Sequence, residues 1–240
     1  MRYLGFAADY DGTLASGGVV AAPVVRALES LKASGRKLLL VTGRNMDEIV
    51  EIFPRLDLFD RVVSENGAVV YCPQTGFEKY LSARPPERFL DELRRRRVSP
   101  LSVGRIIIST SAAEAPEILD AVRESGLQLD VIFNKSSVMV LPHGVDKATG
   151  LRAAIDELSL PAGELVAVGD GENDIPMLGM AGCGAAVAGA LEVVKRAADI
   201  VLTADAGEGV IELVDLIMRE TQPAFFESNA FSGNGGQERA

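Results

Sequence analysis

Four aspartates in two short segments have the residue type and the spacing to bind a cation and do chemistry. Asp9 and Asp11 stand one residue apart in FAADYDGTLA, and Asp170 and Asp174 lie in GDGENDIPML. Two adjacent carboxylates repel each other when both are ionised, unless a cation lies between them. An all-oxygen ligand set favours a hard ion, and Mg²⁺ commonly binds a few carboxylates together with water and substrate phosphate. The aspartates therefore predict a Mg²⁺ site for a phosphorylated substrate.

Other side chains of the chain are suited to bind a phosphoryl group. Lys147 would supply positive charge, and the Thr13 and Thr42 hydroxyls would supply hydrogen-bond donors. Phosphoryl transfer needs mostly positioning and charge neutralisation, so a metal, a lysine and a few donors suffice. One aspartate of the first pair can attack phosphorus, because carboxylates are known to form aspartyl phosphates. The neighbouring aspartate, if it is partly protonated, can then carry the proton that the reaction must move.

These side chains can meet only if the segments that contain them end at the same edge of a sheet. Apolar segments typical of buried strands end at Asp9, Thr42 and Asp170, and strands alternate with helical segments along most of the chain. This pattern predicts an α/β fold with a Rossmann-like, doubly wound parallel sheet covered on both faces. Such sheets bind ligands beyond the carboxyl ends of their strands. If the extended backbone persists past Asp9, side-chain alternation places Asp11 on the same side.

The middle of the chain predicts a separate module. Residues 78–143 contain two helical and two or three strand-like segments with their own apolar pattern, which is too long for a loop. We predict a smaller α+β cap domain inserted into a discontinuous core of residues 1–77 and 144–220. Residues 221–240 are rich in Gly, Ser and Asn without a period, and we predict a disordered tail.

Composition narrows the function classes. The chain has 240 residues, of which 48% are hydrophobic and 24% charged, and its net charge of −10 argues against general nucleic-acid binding. The longest uncharged stretch, IPMLGMAGCGAAVAGAL, contains Gly and Pro and falls short of the roughly 18 residues of a membrane span. Two cysteines are too few for a disulfide framework. We expect a soluble, cytoplasmic protein without nucleic-acid or membrane partners, and a monomer and a dimer both stay open.

Taken together, the motifs resemble those of the haloacid dehalogenase superfamily in type and in order. They are DYDGT at 9–13, VTGR at 41–44, the lysine of DKATGL at 146–151 and GDGENDIPML at 169–178. The segment SENGA at 64–68 and the position of the insertion resemble the Cof-type branch, which includes sugar-phosphate phosphatases and archaeal-type phosphoglycolate phosphatases. The resemblance covers about residues 1–220. It implies a Mg²⁺-dependent phosphatase acting on a small phosphorylated metabolite, with phosphoglycolate as the first candidate.

The resemblance also implies a role for each of the four aspartates. Asp9 would be the nucleophile and a metal ligand. Asp11 would be the general acid and base, and its backbone carbonyl would also bind the metal. Asp170 would be a metal ligand, and Asp174 would bind the metal directly or through water.

The remaining motif residues would bind the phosphoryl group. The resemblance implies this role for Thr42, Gly43, Lys147 and Asn173, and Lys147 would also shield the charge of Asp9. The inserted domain would close over the substrate and select it. The chain departs from the usual pattern of the branch at Tyr10, where Leu or Met is more common.

Three other functions stay open from the sequence. The first is a phosphomutase with the same aspartyl-phosphate chemistry, which would depend on a bisphosphorylated sugar. The second is an inactive relative that serves as a regulatory domain. The third is a receiver-like signalling module, although receivers are about half as long and have no cap.

Some residues near the motifs are ambiguous. Glu65 and Asn66 either line the site or only form the turn before Gly67. Arg44 is expected to brace other groups rather than to contact substrate. The basic run from Arg94 to Arg97 is expected to face solvent, because a helix spreads four consecutive residues around its axis.

Overall fold

The computed structural model describes residues 3–219, and these form two sheets with helices packed against them. The strands are β1 (Gly5–Ala8), β2 (Lys37–Val41), β3 (Arg61–Ser64), β4 (Val69–Cys72), β5 (Phe77–Tyr80), β6 (Leu101–Val103), β7 (Ile108–Ser111), β8 (Leu129–Asn134), β9 (Ser137–Pro142), β10 (Leu165–Gly169), β11 (Cys183–Ala186) and β12 (Ile200–Val201). The helices are α1 (Ala22–Ala33), α2 (Met46–Ile52), α3 (Glu87–Arg95), α4 (Ala115–Ser125), α5 (Lys147–Glu157), α6 (Ile175–Met180), α7 (Glu192–Ala197) and α8 (Ala206–Arg219).

The larger sheet has the strand order β12-β11-β10-β1-β2-β3-β4-β5. Its strands run parallel from β12 to β3, and β4 and β5 add an antiparallel edge. Every residue of β1, β10 and β11 is buried, so both faces of the sheet are covered. The predicted α/β fold with a parallel core sheet is confirmed.

Helix α1 shows how the apolar pattern produces this cover. Its buried residues Val24, Leu28 and Leu31 recur at the spacing of one helix face. Pro23 lies in the first turn, where the missing N–H costs no hydrogen bond, and Gly35, with φ of 88°, follows the helix end. Helix α1 packs against α8, so the first and last helices of the described chain cover the sheet together.

The smaller sheet is antiparallel with the order β6-β7-β9-β8, and α3 and α4 pack against each other beside it. These elements enclose their own apolar core, which includes Phe89, Leu93, Ile118 and Val140. We call the elements from α3 to β9 the inserted domain. Of the two or three strand-like segments predicted in residues 78–143, the last corresponds to the hairpin of β8 and β9.

The end predicted for the first core segment, residue 77, does not coincide with the end of the larger sheet. Strand β5 pairs with β4 from Cys72 opposite Phe77 to Val69 opposite Tyr80, so the larger sheet extends to Tyr80 rather than ending at residue 77. The short exposed strand has little apolar pattern and was not predicted. The tail predicted at 221–240 lies outside the described residues. Among residues 3–219, none of the helices combines the length and the apolar character that a membrane crossing requires.

Candidate active site

The candidate site lies where three neighbouring parallel strands end. Asp9 follows β1, Thr42 follows β2 and Asp170 follows β10, and β1 pairs with both of the other strands. Asp9 continues the sheet ladder, because its backbone N–H donates to the carbonyl of Val168. The shared edge of the sheet therefore brings together side chains that are far apart in sequence, as the strand pattern predicted.

Three of the four predicted aspartates form one buried cluster. Asp9, Asp170 and Asp174 each offer a carboxylate oxygen, and these oxygens lie within 4.8 Å of one another. Lys147 Nζ donates to Oδ1 of Asp9 and to Oδ1 of Asp174, each at 2.5 Å. The lysine side chain is 1% exposed, so the carboxylates and the ammonium share a site removed from water.

Lys147 is placed by the start of helix α5. The preceding residue, Asp146, caps the helix by accepting the N–H of Thr149 at 2.7 Å, and Thr149 Oγ1 accepts the N–H of Asp146. This reciprocal pair fixes the first turn. Gly67 packs directly against this start with φ of 107°, and a Cβ atom there would collide with the backbone oxygen of Asp146. The helix end and its lysine are therefore held against the core.

Asp174 is held equally firmly. Its Oδ2 accepts the backbone N–H groups of Asp170 and Gly171, both at 2.9 Å, and its Oδ1 accepts from Lys147. The turn after β10 thus folds back on itself, and the side chains of Asp170 and Asp174 both point into the cluster.

The electrostatics of the cluster favour an added cation. Burial, and after it the charge of Asp174, raise the pKa of Asp9 to about 7 despite the lowering effect of Lys147. Burial also raises the pKa of Asp170. Burial lowers the pKa of Lys147, but Asp174 and Asp9 outweigh this effect and the net shift is upward. Three buried carboxylates that repel one another, with oxygens this close, fit a hard divalent ion.

The predicted phosphate-binding residues lie beside the cluster. Thr42 is buried, and its Oγ1 accepts the backbone N–H of Arg44 at 3.1 Å. Asn173 Nδ2 donates to Oδ1 of Asn66 at 2.8 Å, and a Cβ atom on Gly43 would lie 3.8 Å from this nitrogen. Thr42, Gly43 and Asn173 are thus gathered at the same end of the sheet.

The carboxylate of Asp11 does not join the cluster. It forms a bidentate ion pair with Arg44, with Nε–Oδ2 at 2.7 Å and Nη2–Oδ1 at 2.8 Å, and its side chain is 44% exposed. The condition under which Asp11 and Asp9 would point to the same side, an extended backbone past Asp9, is not met, because β1 ends at Ala8 and Gly12, with φ of 85°, forms a turn. Arg44 braces Asp11 and also lies 5.8 Å above the ring of Tyr10.

Comparison with known proteins assigns the fold and the motifs to one family. The family model of haloacid dehalogenase-like hydrolases matches residues 6–112 and 100–214 of this chain. The chain belongs to this family. "Phosphoglycolate phosphatase 2" of Saccharolobus solfataricus is 31% identical over 242 aligned positions, which cover 97% of this chain and 94% of that protein.

Solved structures show the same fold for this haloacid dehalogenase-like hydrolase. A haloacid dehalogenase-like hydrolase from Bacteroides thetaiotaomicron superposes with a TM-score of 0.76 at 22% identity, covering 90% of this chain and 99% of that one. A sugar phosphatase of haloacid dehalogenase subclass IIB has a TM-score of 0.72 at 22% identity, with coverages of 89% and 98%.

In this haloacid dehalogenase-like hydrolase, Glu65 binds the inserted domain to the core. The buried carboxylate accepts the backbone N–H groups of Arg105 and Ile106, both at 2.7 Å, and of Ile107 at 2.9 Å. Ile106 and Ile107 are buried in the apolar core of the larger sheet. Glu65 and Asn66 both have positive φ, of 53° and 54°. The sequence left their role undecided; the structure shows Glu65 in domain docking and Asn66 bonded to Asn173.

Replacing Glu65 with glutamine is expected to lower the free energy of unfolding by about 2 kcal/mol. The amide nitrogen would replace one of two acceptor oxygens that face three N–H donors. Urea unfolding measures the change, and Glu29→Gln is the matched control because its carboxylate is exposed. Equal stability of the two variants would contradict the docking role.

Lys135 is a residue that the sequence analysis did not single out. It lies in the turn between β8 and β9, and its ammonium forms an ion pair with Oδ2 of Asp170. The inserted domain thus places a positive charge on the aspartate cluster of the core.

Proposed function

We propose that this enzyme is a Mg²⁺-dependent phosphatase that hydrolyses a small phosphate monoester through a phospho-aspartate on Asp9. The observation that supports this most strongly is the buried cluster of Asp9, Asp170, Asp174 and Lys147 at the carboxyl edge of a parallel sheet. A carboxylate nucleophile held next to a cation site is what phosphoryl transfer to an aspartate requires.

Asp9 would act as the nucleophile. Lys147 binds its Oδ1, which orients the carboxylate, so the other oxygen is the candidate for attack on phosphorus. Attack forms the bond between Asp9 and phosphorus and breaks the bond from phosphorus to the leaving alcohol. A water molecule then attacks phosphorus, the bond to Asp9 breaks, and phosphate is released.

Asp11 would transfer the proton in both steps. It would protonate the leaving oxygen in the first step and accept a proton from the attacking water in the second. Its carboxylate is half exposed and paired with Arg44, so this ion pair must open for a proton to move. Arg44 then acts as a positioning residue that holds Asp11 outside the aspartate cluster until substrate binds.

Asp9, Asp170 and Asp174 would hold the Mg²⁺ ion, together with the backbone carbonyl of Asp11. When bound, the ion would supply positive charge that neutralises the phosphoryl oxygens. Lys147 would add a second positive charge from the core side. Thr42, Gly43 and Asn173 would bind the phosphoryl oxygens through hydrogen bonds, which restrain the group for in-line attack.

Phosphoglycolate is the substrate that we propose. The support is the 31% identity, over almost the whole chain, to a protein named as a phosphoglycolate phosphatase. Hydrolysis of phosphoglycolate, sugar phosphates and p-nitrophenyl phosphate by the purified protein, with Mg²⁺, tests the proposal. We expect the highest kcat/KM for phosphoglycolate. Turnover that requires a bisphosphorylated sugar would instead indicate a phosphomutase.

Removal of the metal is expected to lower turnover by at least about a hundredfold, because three buried carboxylates would then face an anionic substrate. The measurement is phosphate release after treatment with EDTA and gel filtration. Added Mg²⁺ should restore the rate, and an equal concentration of K⁺ serves as the control. Full activity in the presence of EDTA would contradict a metal-dependent reaction.

A further inference from the structure

We propose that Lys135 binds a negative charge on the leaving group of the substrate, and so selects phosphate monoesters that also bear a carboxylate. This inference rests on the proposed function and assigns the specificity of the same site to one residue. It goes beyond the aspartate chemistry, which treats all phosphate monoesters alike.

The position of Lys135 is the first observation. Strand β8 ends at Asn134 and β9 begins at Ser137, so Lys135 lies at the tip of the hairpin, with φ of 52°. Its ammonium contacts Asp170, and a Cβ atom on Gly12 would lie 2.8 Å from Lys135 Nζ. The ammonium therefore lies between the turn after β1 and the turn after β10, at the mouth of the cluster.

Other cations of the inserted domain are engaged elsewhere. Arg94 and Arg96 pair with acidic residues of the inserted domain itself, and Arg105 pairs with Asp47 and Glu78. Among the ion pairs of residues 3–219, that of Lys135 is the only one that joins the inserted domain to the aspartate cluster. Lys135 is thus the cation of this domain that the structure pairs with the aspartate cluster.

Binding of a cation by Asp170 would change the partner of Lys135. The ammonium of Lys135 and a divalent ion would compete for the carboxylate of Asp170. Two positive charges bound to the same carboxylate repel each other. The lysine side chain is 44% exposed, so it can turn towards the substrate space. A bound substrate would then supply an anion with which the ammonium can pair.

The geometry of attack decides which part of the substrate Lys135 meets. In phosphoryl transfer the attacking and leaving oxygens lie roughly in line, so the leaving group points away from Asp9. The phosphoryl group faces the core, where Lys147 lies in contact with Asp9. Lys135 reaches the cluster from the β8–β9 hairpin of the inserted domain, whereas Lys147 reaches it from helix α5 of the core. We assign Lys135 to the leaving group on this basis, and a carboxylate there would form an ion pair with the ammonium.

The test compares two substrates that differ only in that charge. These are phosphoglycolate and 2-hydroxyethyl phosphate, whose carboxylate is replaced by a neutral CH₂OH group. We expect Lys135→Gln to lower kcat/KM for phosphoglycolate about a hundredfold and to change that for 2-hydroxyethyl phosphate by less than about threefold. Lys135→Arg should keep most of the preference. Arg95→Gln, which removes an exposed cation of the same domain, is the matched control.

Binding of non-hydrolysable analogues gives a readout that does not depend on turnover. With Mg²⁺ present, calorimetry should show that wild-type protein binds 3-phosphonopropionate more tightly than 3-hydroxypropylphosphonate. In Lys135→Gln this difference should disappear. Without any analogue, the same variant should bind Mg²⁺ a few times more tightly, because the competitor for Asp170 is gone.

Equal losses for both substrates in Lys135→Gln would overturn the inference, because Lys135 would then act on the phosphoryl group or on domain docking. Unchanged kinetics would overturn it as well. If the wild-type enzyme hydrolyses p-nitrophenyl phosphate but treats the two matched substrates alike, only this inference fails. If it hydrolyses none of the three, the proposed function fails with it.

Discussion

Replacing Asp9 with asparagine is expected to lower turnover of every phosphate monoester by at least about 10⁴-fold. The amide cannot attack phosphorus as a carboxylate does, and the variant also loses the negative charge of one of the three carboxylates whose oxygens lie within 4.8 Å of one another. The change keeps the shape of the side chain, so the fold should persist. The measurement is phosphate release from phosphoglycolate and p-nitrophenyl phosphate at saturating Mg²⁺.

The matched control for this variant is Asp57→Asn. Asp57 is an exposed aspartate paired with Arg55, and its loss should leave the rate within about twofold of wild type. Circular dichroism and thermal unfolding confirm that both proteins are folded. Robust hydrolysis of p-nitrophenyl phosphate by folded Asp9→Asn protein would refute the aspartyl-phosphate route.

Replacing Lys147 with methionine is expected to have the largest effect on stability. The change leaves Asp9 and Asp174 buried side by side without the ammonium that now contacts both at 2.5 Å. Breaking a buried ion pair by removing one partner costs about 3–5 kcal/mol. We expect a loss of this size in the free energy of unfolding without metal, and a fall in kcat/KM of at least about a thousandfold.

Mg²⁺ distinguishes this loss from a simple packing defect. A divalent ion would supply the missing positive charge, so saturating Mg²⁺ should recover part of the stability of the methionine variant, as urea unfolding would show. The control is Lys79→Met, because Lys79 pairs with Glu157 at the surface and its loss should cost less than about 1 kcal/mol. Equal losses in both variants, or no response to Mg²⁺, would count against a shared cation site.

The sheet and the aspartate cluster were predictable because each follows from a local pattern. Apolar strands end at Asp9, Thr42 and Asp170. If these strands are parallel, their carboxyl ends lie at the same edge of the sheet, whatever the strand order. The position of Asp11 was not predictable from side-chain alternation, because that rule holds only while the backbone stays extended. The strand ends at Ala8, and Gly12 turns the chain.

The roles of Glu65 and Lys135 could not be predicted, for a different reason. Glu65 accepts N–H groups of the backbone about forty residues later, and any residue except proline offers such a group. No side-chain motif marks the partner. Lys135 is a single lysine in the polar turn of a hairpin, and an ordinary surface lysine has the same sequence context. Both depend on the distance between two domains, which only the folded chain determines.

The turn of Glu65, Asn66 and Gly67 has a consequence for engineering. Its three residues contact the backbone of the inserted domain, the side chain of Asn173 and the start of helix α5. A chimaera that receives its inserted domain from another protein must therefore present three free amide groups to Glu65. A graft without these amide groups would disturb Asn173 and Lys147 as well. Donor domains should therefore be chosen first by how well their backbone superposes on residues 105–107, and only then by their substrate preference.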